Sequence, residues 1–85
     1  MKDLKYEDLE RIIEDLESKW SDVKLYVTED VEEAVVIFRV ENTKTGYNLV
    51  TKVQFQVFTD IKLPQEVFVR STFTKMIQKV GGRLK

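Results

Sequence analysis

The sequence predicts a small α+β domain of order α-β-β-β-α, in which both helices cover one face of a three-stranded antiparallel meander. Its 85 residues suffice for one hydrophobic core, so residues 1–85 are expected to form a single domain. Apolar residues recur at helical spacing towards both ends of the chain. Between them, three segments alternate apolar and polar residues with the period of two that is typical of half-buried strands.

The first helix is predicted to begin between Asp3 and Tyr6 and to end at Trp20. Its apolar stripe comprises Leu9, Ile12, Ile13, Leu16 and Trp20. Glu7 and Asp8 lie near its start, where the helix dipole favours negative charge. The helix is therefore expected to pack through one side and to leave a charged side in solvent.

Three strands are predicted over residues 23–28, 34–41 and 47–59, separated by an acidic turn and a hairpin loop. Gly46 suits the positive φ that such a loop requires. The residues expected to face the helices are Val23, Leu25, Val27, Ala34, Val36, Phe38, Val40, Leu49, Val53, Phe55 and Val57. The alternate residues of each strand then form the open side of the sheet.

The last helix is predicted to have Pro64 at its first position and to end before Gly81-Gly82. Its apolar stripe comprises Val69, Phe73, Met76, Ile77 and Val80. Residues 67–74 are rich in β-branched and aromatic side chains and also fit a strand, but the proline start and glycine stop favour the helix. The tail, residues 83–85, is expected to fray.

The composition argues against an enzyme. The chain has neither cysteine nor histidine, which removes disulfides, thiolate chemistry, the commonest general base and the commonest transition-metal ligand. No glycine-rich phosphate loop is present, so no cofactor, metal or small-molecule substrate is expected. No membrane-spanning run and no signal-peptide pattern are visible, and we therefore expect a cytoplasmic protein.

The charge is divided unevenly along the chain. Residues 1–33 carry twelve acidic and five basic side chains, whereas residues 60–85 carry two acidic and six basic ones. Four carboxylates form one strip of the first helix, namely Glu7, Glu10, Glu14 and Glu17. The simpler interpretation is a solvated helix face, with Arg11 pairing with Glu7 and Lys19 with Asp15. The functional one is a surface for a basic partner, or an acidic decoy that inhibits a nucleic-acid enzyme.

The open side of the sheet is the leading candidate site. It is predicted to carry Tyr26, Val35, Ile37, Arg39, Val50 and Lys52. Strand propensity accounts for part of this apolar content, and the remainder resembles a modest protein interface with a polar rim. We therefore expect a small interaction module, of the kind common among phage and mobile-element proteins. It would bind another protein, or a second copy of itself, through this face and the acidic helix.

Nucleic-acid binding through the last helix is the alternative. Phe68 would stack on a base while Lys75, Lys79 and Arg83, aided by Arg39 and Lys52, would hold phosphates. The simpler interpretation is that the lysines complement the helix dipole and that Phe68 folds back beneath Ile61 and Leu63.

The α-β-β-β-α order resembles that of double-stranded RNA-binding domains, whose Lys-Lys helix start and glycine-containing loop this chain lacks. It also resembles small phage-borne inhibitors of CRISPR nucleases, and that likeness extends to the acidic residues 1–33. Both resemblances are of topology, without a shared residue motif, and neither family is assigned. The second implies the decoy function described above.

Overall fold

The computed structural model describes residues 6–85, with side chains from Glu7 onward. A helix start at Asp3 therefore lies outside the described residues. The elements are α1 (Tyr6–Lys19), β1 (Trp20–Ser21), β2 (Val23–Asp30), β3 (Val35–Asn42), β4 (Asn48–Gln54), α2 (Phe55–Asp60), α3 (Gln65–Lys79) and β5 (Arg83–Leu84). The predicted α+β class and the helix-meander-helix order are confirmed, with one additional helix and two short strands.

The meander is antiparallel with the strand order β2-β3-β4. Leu25 pairs with Val40 and Val27 with Phe38, while Phe38 also lies opposite Thr51 of β4. Residues directly opposite one another share a sheet face. The register therefore separates an inner face, which includes Phe38, from an outer face made of the alternate residues.

One hydrophobic cluster joins the helices to the inner face. From the meander it contains Leu25, Val36, Phe38 and Val40 as buried members, together with apolar residues of α1, α2 and α3. The Phe38 ring meets the Phe73 ring of α3 edge-on, with 5.2 Å between centroids. No outer-face side chain belongs to this cluster. The predicted stripes of both helices enter it, which leaves the opposite side of the sheet outside this cluster.

The third strand is shorter than predicted. It ends at Gln54, and Phe55–Asp60 form the short helix α2 instead of continuing the strand. Helical spacing brings Phe55 and Phe58 to one side, so Phe58 is 3% exposed and Phe55 packs against the core. Val57, predicted to face inward on a strand, is 41% exposed. Burial of a second aromatic ring accounts for the change, because a strand would have directed Phe55 and Phe58 to opposite faces.

The turn between β2 and β3 also differs from the prediction. β2 continues to Asp30, and Ala34 belongs to the turn rather than to the inner face. Its φ is 56°, a left-handed conformation that suits a tight turn and is unusual for alanine. Gly46, at φ 80° in the other loop, confirms the predicted use of glycine there.

A second, two-stranded sheet joins the residues that follow α1 to the C-terminal tail. Trp20 pairs with Leu84 and Ser21 with Arg83, so the expectation of a frayed tail is wrong. Lys85 N donates to Lys19 O, and Ser21 Oγ donates to Arg83 O. Trp20 therefore leaves the helix, which ends one residue earlier than predicted, because its backbone pairs with the tail.

The segment after Pro64 is the helix α3, which excludes the strand interpretation of residues 67–74. Pro64 is the N-cap, and Gln65 is the first helical residue. The glycine pair ends the helix as predicted, with Gly81 at φ 85°. A Cβ on Gly82 would lie 2.5 Å from Ile77 Cγ2, so this glycine permits the tail to pack closely on α3.

An ion pair connects the two long helices. Arg70 Nη1 of α3 lies 2.6 Å from Asp15 Oδ2 of α1, and Lys19 Nζ approaches the same oxygen at 3.1 Å. The hydrogen bond from Arg70, followed by that from Lys19, lowers the pKa of Asp15 below its ordinary value. Asp15 is thus bound more strongly as a carboxylate in the folded chain than in the unfolded one.

The substitution Asp15→Asn should reduce stability at neutral pH and matter little in acid. A folded-state pKa below the unfolded value contributes stability above the unfolded pKa, and this contribution is lost as the pH falls through the folded one. Urea unfolding midpoints of the two proteins should therefore differ at pH 7, and the difference should shrink progressively as the pH falls below about 4, the ordinary pKa of an aspartate. Glu14→Gln, a change at an exposed carboxylate of the same helix, is the matched control. A gap that stays constant with pH would contradict this assignment.

Candidate interaction surface

The outer face is a grid of side chains whose neighbours are set by the strand register. Its members are Lys24, Tyr26, Thr28, Asp30, Val35, Ile37, Arg39, Glu41, Asn48, Val50, Lys52 and Gln54. Tyr26, Arg39 and Val50 lie directly opposite one another on the three strands and form what we call the Tyr26 row. Ile37 follows Arg39 on the same face of β3, beside Lys52. Five of the six sheet residues predicted to bind a partner thus lie in two adjacent cross-strand rows of this grid.

The Tyr26 row is held by a cation–π contact. The Arg39 guanidinium carbon lies 3.9 Å from the centroid of the Tyr26 ring, and Lys24 Nζ lies 5.8 Å from it. Arg39 Nη1 also donates to Asn48 Oδ1 at 3.0 Å. Guanidinium carries five N–H donors in a rigid plane, so further donors remain to bind a ligand. The stacking and the Asn48 bond hold Arg39 in place without saturating it.

The apolar part of the outer face is open at one end and closed at the other. Val50 is 49% exposed, and Tyr26 and Ile37 are half-buried by their neighbours. Val35, opposite Gln54, is only 9% exposed and has little surface left for a partner. The accessible apolar surface therefore centres on the Tyr26 row and Ile37.

A weak ion pair marks the rim of this surface. Lys52 Nζ lies 3.6 Å from Glu33 Oε2, and both side chains are more than half exposed. Exposed pairs of this kind contribute little to stability because water and salt screen them. Lys52 is thus available at the rim, with its charge partly offset by Glu33.

The acidic strip of α1 is separate from the outer face. Glu7, Glu10 and Glu14 are exposed, whereas Glu17 Oε2 accepts a hydrogen bond from Leu25 N at 2.9 Å. The apolar side of α1 enters the core cluster, which contains no outer-face residue. The two parts of the predicted partner-binding set therefore do not form one continuous surface.

The pairing within this helix is partly as predicted. Lys19 pairs with Asp15, but Arg11 pairs with Asp8 instead of Glu7. The Asp8 contact lies three residues away along the helix, within the reach of neighbouring turns.

The predicted nucleic-acid residues are divided between core and surface. Lys75, Lys79 and Arg83 are exposed. The Phe68 ring is half-buried and packs edge-on against Phe58, with 5.1 Å between centroids. Phe68 thus packs beside the core instead of standing free to stack on a base. Of the predicted set in this part of the chain, the three cations are the exposed members.

Sequence reasoning missed Asn48, which holds Arg39 across the hairpin. The signal was present in the spacing, because a loop of known length sets which residues of the two strands lie opposite each other. Glu41 and Asn48 are such a pair, with Arg39 one position further along the same face.

The chain matches no protein-family model, no characterised protein sequence and no solved structure. Within residues 6–85, no three histidine, cysteine, aspartate or glutamate side chains group in a way that could hold a metal ion. No helix in that range has the length and apolar character needed to cross a bilayer.

Proposed function

We propose that this chain is a non-enzymatic interaction module that binds another protein through the outer face of its sheet. One observation carries the proposal: a stacked Tyr26–Arg39 pair lies beside the exposed Val50 on a regular sheet, outside the core cluster. Tyrosine and arginine are the residue types that most often dominate binding energy in protein interfaces. Because the two side chains are already held in place, less conformational entropy is lost when a partner binds.

The chemistry of this surface favours a partner with an apolar side chain next to a carboxylate. Val50 and Ile37 offer apolar contact, and Arg39 retains donors in the fork geometry that suits a carboxylate. Lys24 lies opposite Glu41 and Lys52 pairs with Glu33, so Arg39 is the cation that a partner carboxylate would meet. An acidic partner would also associate faster at low salt, because complementary charge steers the encounter.

Variants of the outer face test the proposal. A partner captured by the wild-type chain from lysate of its source organism is purified, and its affinity is measured by calorimetry. Tyr26→Ala and Arg39→Ala should each weaken binding at least about tenfold, the loss typical of a central interface residue. Ile37→Glu should abolish binding and leave the circular dichroism spectrum unchanged.

Matched changes on the acidic helix separate this proposal from the alternatives. Glu10→Gln combined with Glu14→Gln should leave the affinity unchanged, because these exposed side chains are not part of the outer face. Equal binding by Ile37→Glu and the wild type would refute the proposal. So would nucleic-acid binding at low salt that falls steeply as salt is added, since phosphate contacts produce that dependence.

A further inference from the structure

The two edges of the meander are not equivalent. Asn42 N donates to Tyr47 O, and Phe55 N donates to Ala34 O, so these are hydrogen-bonded pairs of the β3–β4 ladder. Along an antiparallel strand, the backbone N–H and C=O groups of successive residues point alternately towards one neighbouring strand and away from it. The N–H groups of Asn48, Val50, Lys52 and Gln54 therefore point away from β3, towards the free edge. None of the four donates to another backbone group in the described chain.

The opposite edge, on β2, is protected. Glu17 Oε2 accepts the outward N–H of Leu25 at 2.9 Å, which places a carboxylate where another strand would have to approach. The strand also ends in Glu29 and Asp30. Charges of this kind are how natural sheets block pairing at an edge.

On the β4 edge, within the part of the chain that the structure describes, no carboxylate accepts an outward N–H, so this edge is less protected. It is seven residues long, contains no proline, and carries one charge, Lys52, which is offset by Glu33. Its inner-face residues Leu49 and Val53 pack against the core and remain partly exposed at the end of the sheet. An edge of this length with open N–H groups and incompletely covered apolar side chains is a template for another strand.

We propose that β4 pairs antiparallel with β4 of a second copy of this chain, about a twofold axis at Thr51. This inference does not depend on the proposed function, because it uses the edge of the sheet and not its outer face. The pairing would join two meanders into one continuous sheet, the isologous arrangement commonest among homodimers.

The strand is complementary to itself in this register. Leu49 lies opposite Val53 of the second copy, and Thr51 opposite Thr51, so apolar side chains meet on the inner face. On the outer face Val50 lies opposite Lys52, and Asn48 opposite Gln54. No charged residue lies directly opposite a like charge, which would be destabilising. The alternative register centred on Lys52 would oppose the two lysines, and a register centred on Val50 would pair fewer residues of the strand.

Sedimentation equilibrium over a range of concentrations tests the pairing. The wild type should reach twice the monomer mass, whereas Val50→Pro should stay monomeric and folded. Proline at this position removes an N–H that points away from β3, so the β3–β4 ladder is kept, as is usual for proline on an edge strand. The substitution does remove the donor that an incoming strand needs. Val50→Ala keeps that donor and should still dimerise, as should Ile37→Glu on the central strand. A wild type that remains monomeric at millimolar concentration would overturn the proposal.

Disulfide formation tests the register independently of the proline variant. The chain has no cysteine, so a single introduced thiol reports only on contact between copies. Residues opposite one another without mutual hydrogen bonds have Cα atoms about 4.5 Å apart, within disulfide range. Thr51→Cys should therefore cross-link in air. Val50→Cys should not, because Val50 lies opposite Lys52 of the second copy and not opposite Val50. The helix variant Glu10→Cys should not cross-link either. Cross-linking of Val50→Cys or Glu10→Cys but not of Thr51→Cys would overturn the assignment.

Discussion

Replacing Phe38 by alanine is expected to lower the free energy of unfolding by about 3–5 kcal/mol. Phe38 has no exposed surface and lies at the centre of the inner face. Its ring meets Phe73 edge-on and stacks with Phe58 at 6.3 Å, so one residue connects β3 with α2 and α3. A chain of this length has a total stability of about 4–13 kcal/mol, so the substitution would remove at least about a quarter of it.

The neighbouring residue is the matched control for this experiment. The Ile37 side chain lies on the opposite face of the same strand. Ile37→Ala therefore leaves no cavity in the core and should lower the free energy of unfolding much less. Trp20, the only tryptophan, packs against the core and reports unfolding in urea by fluorescence. If Ile37→Ala proved as costly as Phe38→Ala, the assignment of the two sheet faces would be wrong. The proposed binding surface would then be wrong too.

Periodicity was sufficient to predict the parts of the fold that bury one face. The stripe Val69, Phe73, Met76, Ile77 and Val80 is buried throughout. In the meander, the period of two alone assigns Val36 and Phe38 to one sheet face and Ile37 and Arg39 to the other. These elements are predictable because each repeats a local pattern that one buried side alone explains.

The elements that periodicity missed depend on distant contacts. Residues 55–60 alternate acceptably as a strand, and only the place for Phe58 beside Phe38 and Phe68 makes the helix preferable. The β1–β5 pair joins residues about 60 positions apart, which local propensity cannot indicate. The helix α2 and the β1–β5 pair therefore depend on tertiary burial and long-range pairing, which the local sequence pattern does not contain.

The candidate site was predictable as a set of residues and not as a geometry. Alternation assigned Tyr26, Ile37, Arg39 and Val50 to the open side, and the register places them there. The stacking of Arg39 on Tyr26 and the burial of Val35 required the pairing of specific residues across strands. The same holds for Phe68, whose contact with Phe58 depends on a helix that the sequence did not reveal.

Asn42 connects the hairpin with the end of α3 through a buried amide. Its side chain is 5% exposed, and Nδ2 donates to Val80 O at 2.8 Å. Oδ1 accepts from Lys44 N at 2.9 Å and from Thr45 N at 3.0 Å. An amide is the side chain that can donate in one direction and accept in the other, so a single residue satisfies both the loop and the helix end.

Asn42→Ala is expected to lower the free energy of unfolding by about 2–4 kcal/mol, because it removes three hydrogen bonds and leaves the buried Val80 carbonyl without a donor. Asn42→Asp separates the two roles. It retains acceptors for Lys44 and Thr45, but at neutral pH it brings a carboxylate to the Val80 oxygen. We expect it to be at least as destabilised as the alanine variant in urea unfolding. Thr43→Ala, at the exposed neighbour, should stay within about 0.5 kcal/mol of wild type. Near-wild-type stability of Asn42→Asp would mean that the loop bonds alone matter and that the link to α3 contributes nothing.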